Sequence, residues 1–255
     1  MLLNLCSLVG NAAEPNWESL AQAGRYGEAK LRVQSSKETY APFYIGVMSF
    51  KSGDWARAIT ELTGGIRKNK DISDYAYLFR GRSYLEQKDF QKAHDDFKKA
   101  SEITQLDYLK KLSYFYQAEA LRHLKQWSKA EKLYSKSKRK LKGTEYYAPV
   151  LWGQLVSLMK QKKKRSQCRY AKELFLKYPN YQKTASWGIY LSKNKVQGKA
   201  LGCLVTFREQ KLRLKRMLWA GREDEAHKAI KLLQSKATAR SRYEVDEVYV
   251  HYLIH

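Results

Sequence analysis

Tyr75 to Ala100 reads YAYLFRGRSYLEQKDFQKAHDDFKKA, and the reading of this stretch decides the fold. Tyr77, Gly81 and Tyr84 fall on one face of a helix, at spacings of four and three. Ala93, Phe97 and Ala100 do the same on a second helix, and Lys88-Asp89 marks the turn between them. Gly81 and Ala93 stand twelve residues apart, one on each helix. Two small residues so placed let the helices approach closely, while Tyr77, Tyr84, Phe90 and Phe97 fill the volume around the contact. One such hairpin cannot bury its own apolar face and needs a neighbour like itself.

Working outward, the small pair recurs. Gly46 and Ala58 flank a turn at Gly53-Asp54-Trp55, Ala118 and Ala130 flank Lys125-Gln126-Trp127, and Gly188 and Ala200 keep the same separation of twelve. The alanines Ala58, Ala93 and Ala130 follow one another at 35 and 37 residues, and Trp55, Phe90 and Trp127 come just after their turns. This period, with its small-small pairing and its aromatic after the turn, resembles the tetratricopeptide repeat. The expectation is an all-α, right-handed α-α superhelix, a tetratricopeptide-like solenoid; the alternative is a generic helical bundle. Repeats are expected near residues 17–36, 41–68, 75–104, 114–142, 147–179, 184–207 and 212–235, within one solenoid spanning 14–255. In the 147–179 unit the small pair is lost and the register is ambiguous by one residue.

The bulk properties agree with stacked helices. The 255 residues include only four prolines and fourteen glycines, and nineteen tyrosines can serve as bulky packing residues with a polar end. No stretch approaches the ~18–20 apolar residues of a membrane span. The excess of 49 basic over 25 acidic residues gives a net charge of +24, which predicts a positive field and anionic partners. Cys6, Cys168 and Cys203 fit no zinc or redox spacing. We expect Cys168 and Cys203 to pack as small apolar groups, with a disulfide between neighbouring repeats as the alternative.

Residues 1–13, MLLNLCSLVGNAA, read as the remnant of a secretory signal with cleavage near Ala12 or Ala13, although a positive first segment is missing. That predicts a periplasmic, exported protein. The alternative is an apolar helix capping the solenoid in a cytoplasmic one. The stretch Tyr243–His255, YEVDEVYVHYLIH, lacks the polar face of a terminal cap, so the chain is expected to continue or to dock there.

No catalytic constellation is present in the pattern. The glycines Gly24, Gly27, Gly64 and Gly65 are isolated and form no phosphate loop. Of the histidines His94, His123, His227, His251 and His255, the last two share a helical face at the spacing of a metal pair, but no third ligand sits near them in sequence. We therefore expect no metal and no cofactor. Asp95-Asp96 and Glu223-Asp224-Glu225 read as acids favoured near helix starts.

The charge is uneven. Lys132 to Lys172 holds thirteen basic residues and one acid, Glu145. The candidate binding residues are Lys136, Lys138, Arg139 and Lys140; Lys162, Lys163, Lys164 and Arg165; and Arg213, Lys215 and Arg216. Three basic turns or helix ends along one edge of a solenoid could hold a polyanion by counterion release. The alternative is a generally basic surface with no dedicated ligand.

Three further stretches carry a second resemblance: Leu176-Lys177-Tyr178-Pro179-Asn180, then Trp187-Gly188, then Leu212–Ala226, LRLKRMLWAGREDEA. With the export-like start, they are similar to the α-superhelical N-terminal region of bacterial soluble lytic murein transglycosylases. The resemblance implies a basic, periplasmic scaffold that guides peptidoglycan strands, followed by a separate glycan-cleaving domain. That domain's Glu-Ser-x-Phe signature does not occur here; Glu18-Ser19 runs into Leu20-Ala21. No active residue is carried over, and enzyme activity is expected only if such a domain follows His255. The partner is then peptidoglycan, or alternatively an acidic peptide or protein held by Lys and Arg clamps. Nucleic acid, which basic clusters interleaved with tyrosine could bind, is disfavoured by the export-like start.

Overall fold

The structure is a computed structural model that describes residues 15–181, 206–236 and 238–254. The signal-like residues 1–13, Cys6, Cys203, the Gly188–Ala200 pair with most of the 184–207 unit, and His255 lie outside the described residues. Among the described residues every regular element is helical. In chain order these are α1 (Trp17–Gln22), α2 (Tyr26–Ser35), α3 (Ala41–Lys51), α4 (Trp55–Lys68), a 3-10 turn (Lys70–Ile72), α5 (Ser73–Glu86), α6 (Phe90–Ile103), α7 (Asp107–His123), α8 (Trp127–Lys138), α9 (Tyr147–Lys160), α10 (Lys164–Lys177), α11 (Phe207–Trp219), α12 (Glu223–Lys236) and α13 (Ala239–Ile254). The chain divides into two compact units, residues 1–124 and 125–255. Within each unit a helix packs on its neighbours in the chain, as a row of hairpins requires.

One turn geometry closes the hairpins. Gly24, Gly53, Lys88, Lys125, Lys162 and Gly221 all adopt positive φ, between 59° and 81°. At Gly53 the amide donates to the Phe50 carbonyl at 3.1 Å and the following Asp54 amide donates to the Ser49 carbonyl at 2.9 Å. At Lys88 and Asp89 the same two bonds reach Leu85 at 3.0 Å and Tyr84 at 2.9 Å, and Gly24, Lys162 and Gly221 repeat them. This pair of bonds satisfies the last carbonyls of the first helix with a left-handed residue. The next residue then starts the second helix: Asp54 and Asp89 accept from the amides of Arg57 at 3.1 Å and Lys92 at 3.3 Å. The left-handed Lys162 also settles the register of the 147–179 unit, with α9 before it and α10 after it.

In the first unit the glycines make room for a side chain one turn beyond the alanines. A Cβ on Gly46 would lie 2.6 Å from Leu62 Cγ, and one on Gly81 would lie 2.7 Å from Phe97 Cε1. Ala58, Ala93, Leu62 and Phe97 are all fully buried. In the second unit the sides exchange. Leu155 stands at the register of Gly81 and Ala171 at that of Phe97, and both belong to the core formed by Tyr147, Ala148, Leu151 and Leu174. Gly153 on α9 faces the preceding helix, where a Cβ would clash with the phenol end of Tyr134. A separate core joins α11, α12 and α13 through Leu214, Met217, Leu218, Ala226, Ile230, Leu233, Val245 and Val248.

Two helices start earlier than the periodicity suggests. The helix expected from Tyr114 begins at Asp107. The helix expected from Leu212 begins at Phe207, behind a capping box in which Thr206 and Glu209 cap each other's backbone.

Candidate functional site

The basic residues singled out above do not share one role. Lys136 and Lys138 end α8, and Arg139 and Lys140 follow it, where positive charge suits the negative end of the helix dipole. Lys136, Arg139 and Lys140 are exposed. Lys138 is half-buried with Nζ 4.9 Å from the centre of the Tyr170 ring, and burial pushes its pKa down. Lys162 is exposed at the left-handed turn, and the Nζ of Lys163 sits 3.4 Å from Glu131. Lys164 and Arg165 open α10, and their side chains lie outside the described ones.

Arg213 was expected on the basic surface and is instead buried, with 8 % of its surface exposed. Its guanidinium lies 4.0 Å over the Phe175 ring and donates to the Phe175 carbonyl at 2.6 Å. Burial lowers its pKa to about 10. Arg216 donates to the Leu176 carbonyl at 2.8 Å. The physical reason is the end of α10: its last carbonyls have no partner within the helix and find donors on α11. Lys172 strengthens the same contact, with Nζ 2.7 Å from Glu209. That hydrogen bond, and a second from the Thr206 amide, hold the Glu209 carboxyl below its ordinary value. Leu212, next to Arg213, is exposed, so hydropathy reads this part of α11 the wrong way round.

Two of the expected residues, Lys215 and Arg216, meet in a cleft of about 630 Å³ in the second unit. Lys177 joins them, and Tyr178, Asn180, Tyr181 and Trp219 line the same hollow. Its size is that of a small-ligand or side-chain pocket. Trp219 is 58 % exposed and meets Tyr252 edge-on at 6.0 Å. Three cations around rings suit an acidic group flanked by apolar or aromatic ones. The aromatic half of this cleft was missed by sequence reasoning. Its signal was the spacing that puts Leu212, Lys215, Arg216 and Trp219 on one side of α11.

Among the described residues no three His, Cys, Asp or Glu side chains gather as metal ligands. The described helices include none long and apolar enough to cross a membrane. Cys168 packs against the α9–α10 core and is disulfide-bonded, the alternative to the expected thiol packing.

No protein-family model matches the chain, and no curated protein matches it. Solved structures do. PilF of Pseudomonas aeruginosa superposes with a TM-score of 0.54 at 14 % identity, over 92 % of this chain and 94 % of that one. The apo form of RapI gives 0.57 at 10 % identity, over 93 % and 90 %. The yeast Sti1 TPR2AB domain in complex with pHSP90 covers 93 % and 95 % at 12 % identity, but its TM-score of 0.34 carries no weight. At such identities the likeness is one of fold: the chain is an all-helical, tetratricopeptide-like repeat protein.

Proposed function

We propose that the chain is a binding scaffold, an adaptor that captures an acidic segment of a partner protein. The observation that carries this reading is the convergence of Lys177, Lys215 and Arg216 on a cleft walled by Tyr178, Tyr181 and Trp219. Carboxylates of the partner meet the cations, and its apolar side chains meet the rings. Fluorescence anisotropy with an acidic peptide library tests it. We expect binding that weakens with salt and falls at least about tenfold in a Lys177→Glu, Lys215→Glu double variant, since losing two charge-assisted contacts is worth more than 1.4 kcal/mol. Equal binding of neutral peptides, or of acidic ones by the double variant, overturns the reading.

A second reading keeps the scaffold and changes the ligand to peptidoglycan, in an exported protein related in role to the murein transglycosylases. The disulfide at Cys168 supports it, because such bonds persist in oxidising compartments. Salt-sensitive sedimentation with purified sacculi, without affinity for acidic peptides, favours this second reading. Its absence at low salt counts against it.

A further inference from the structure

Positive charge is not shared evenly between the two units. Residues 1–124 carry 18 basic and 15 acidic side chains, a balance of +3, and residues 125–255 carry 31 and 10, a balance of +21. Such asymmetry between two parts of one chain points to an anionic surface as the partner of the basic part. Within the second unit the charge concentrates on α8. Lys129, Lys132, Lys136 and Arg139 follow one another at spacings of three, four and three, and all four are exposed. Arg139 keeps helical dihedrals, so a 3.6-residue repeat sets the four within a sector of about 80° and a length of about 15 Å. Ala130, Tyr134 and Ser137 are buried on the other side of the helix. Lys140 and Lys142 carry the exposed charge onward past its end.

Neighbouring residues widen this ridge into a band. Lys163 reaches Glu131, Lys138 lies over Tyr170, and each contact joins residues 32 apart. α10 therefore runs beside α8 in the same direction and brings the exposed Arg169 to its flank. Burial first, and then Arg169 and Lys142, lower the Lys138 pKa against an upward pull from Glu173, so both cations stand close to Lys138. At the start of α8, Lys160 lies 5.9 Å from the Trp127 ring, next to the exposed turn at Lys162. The nearby acids are already held. Glu131, the one acid in sequence from Lys125 to Thr144, is held by Lys163. Glu173 accepts from the Tyr147 hydroxyl at 3.1 Å and pairs with Lys177 at 3.5 Å. Among the described residues Lys129, Lys132 and Arg139 form no ion pair.

We propose that this band, the exposed face of α8 with Arg169 at its flank, docks the protein on a bilayer of anionic lipid. Lysine is a point charge on a flexible stem, which suits a diffuse negative layer better than one fixed acceptor. Near such a bilayer each Lys or Arg strengthens binding about fivefold, so the four cations of α8 suffice for measurable attachment at low salt. A nucleic acid fits the face less well. Tyr134 is buried and Trp127 is half-buried beneath Lys160, so no ring stands open among the cations for a base to stack on. Nor does α8 stand clear enough to enter a groove about 12 Å wide, because α10 occupies its flank. The proposal does not rest on the cleft at Lys177, Lys215 and Arg216.

Vesicle flotation of the full-length protein tests this, with phosphatidylcholine alone and with phosphatidylcholine containing one third phosphatidylglycerol. Flotation is expected with the anionic vesicles only, and it should fade as salt rises. Lys129→Gln with Lys132→Gln should weaken it at least about tenfold, with the melting point unchanged. Lys98→Gln with Lys99→Gln removes the same charge from exposed positions of the first unit and should change it less than about twofold. Equal flotation with both vesicles, none with the anionic ones at low salt, or equal losses in the two double variants overturns the proposal. A DNA duplex or single strand held more tightly than the anionic vesicles, through Lys129 and Lys132, also overturns it and gives the face to nucleic acid.

Discussion

The third hairpin, α5 with α6, and the fifth, α9 with α10, solve one packing problem from opposite sides. In the former a glycine yields and a phenylalanine fills, Gly81 against Phe97. In the latter the leucine stands on the first helix and the small residue on the second, Leu155 with Ala171. The turn between the helices is the same, left-handed at Lys88 and at Lys162. What the hairpin holds constant is the turn; which helix supplies the large side chain at this register is free. A search for two small residues twelve apart finds the third hairpin and misses the fifth, where Leu155 and Gln167 stand at that spacing.

The largest way to break that comparison is to empty one side of it. Phe97→Ala should destabilise the first unit by about 3–5 kcal/mol, since the ring is fully buried. Gly81→Leu alone should also destabilise, because the added side chain meets the Phe97 ring. The double variant recreates the exchange seen in the fifth hairpin. Urea denaturation should show it more stable than the sum of the two losses, by about 1 kcal/mol or more for residues in contact. Strict additivity would mean that the two sides are not interchangeable.

Much of the fold was legible because its signals repeat. Tyr77, Gly81, Phe97 and Ala93 are periodic, so the helices and their turns follow from spacing alone. The start of α7 at Asp107 was not legible, since it has no side-chain cap. That of α11 was written in Thr206 and Glu209 but hidden by the basic run behind it. The site was legible only as charge. Lys215 and Arg216 reach the cleft, whereas Arg213 is drawn inward by unpaired carbonyls. Contacts between distant segments decide the role of an arginine, and a local run of charge does not contain them.

The next difference between the two hairpins lies in what fastens their second helices. α6 meets α7 through rings, Phe97 against Tyr116. α10 meets α11 through donors, Arg213 and Arg216 on the Phe175 and Leu176 carbonyls. Arg213→Met keeps the bulk over Phe175 and removes the donor. It should cost about 1–3 kcal/mol, the penalty of a part-buried carbonyl left without a partner, read as a lower melting point. A neutral result would mean that water replaces the guanidinium there.

Smaller effects should come from the shared turn. A lysine at positive φ is strained where glycine is not, so Lys88→Gly and Lys162→Gly should each stabilise their hairpins by about 1 kcal/mol. Similar gains in both would sharpen the conclusion that the turn is the constant part. A gain in one alone would show that the other lysine has a compensating contact.

The smallest effect separates the two fastenings by pH. Glu209 is held below its ordinary value by Lys172 and the Thr206 amide. A carboxyl whose folded value is depressed contributes fully above its unfolded value, about 4.3, and loses that contribution as pH falls through the lowered folded value. Acid should therefore weaken the α10–α11 contact, while the ring contact of α6 with α7 has no carboxylate to lose. Glu209 is one carboxyl with a partly exposed side chain, so the change is a fraction of the whole and is best read locally. Hydrogen exchange of the α11 amides should quicken between pH 5 and pH 3 beyond the intrinsic pH trend, and Glu209→Gln should flatten that excess. If the excess persists in the variant, the acid sensitivity belongs to another group, and the charged fastening of α10 rests on the arginines alone.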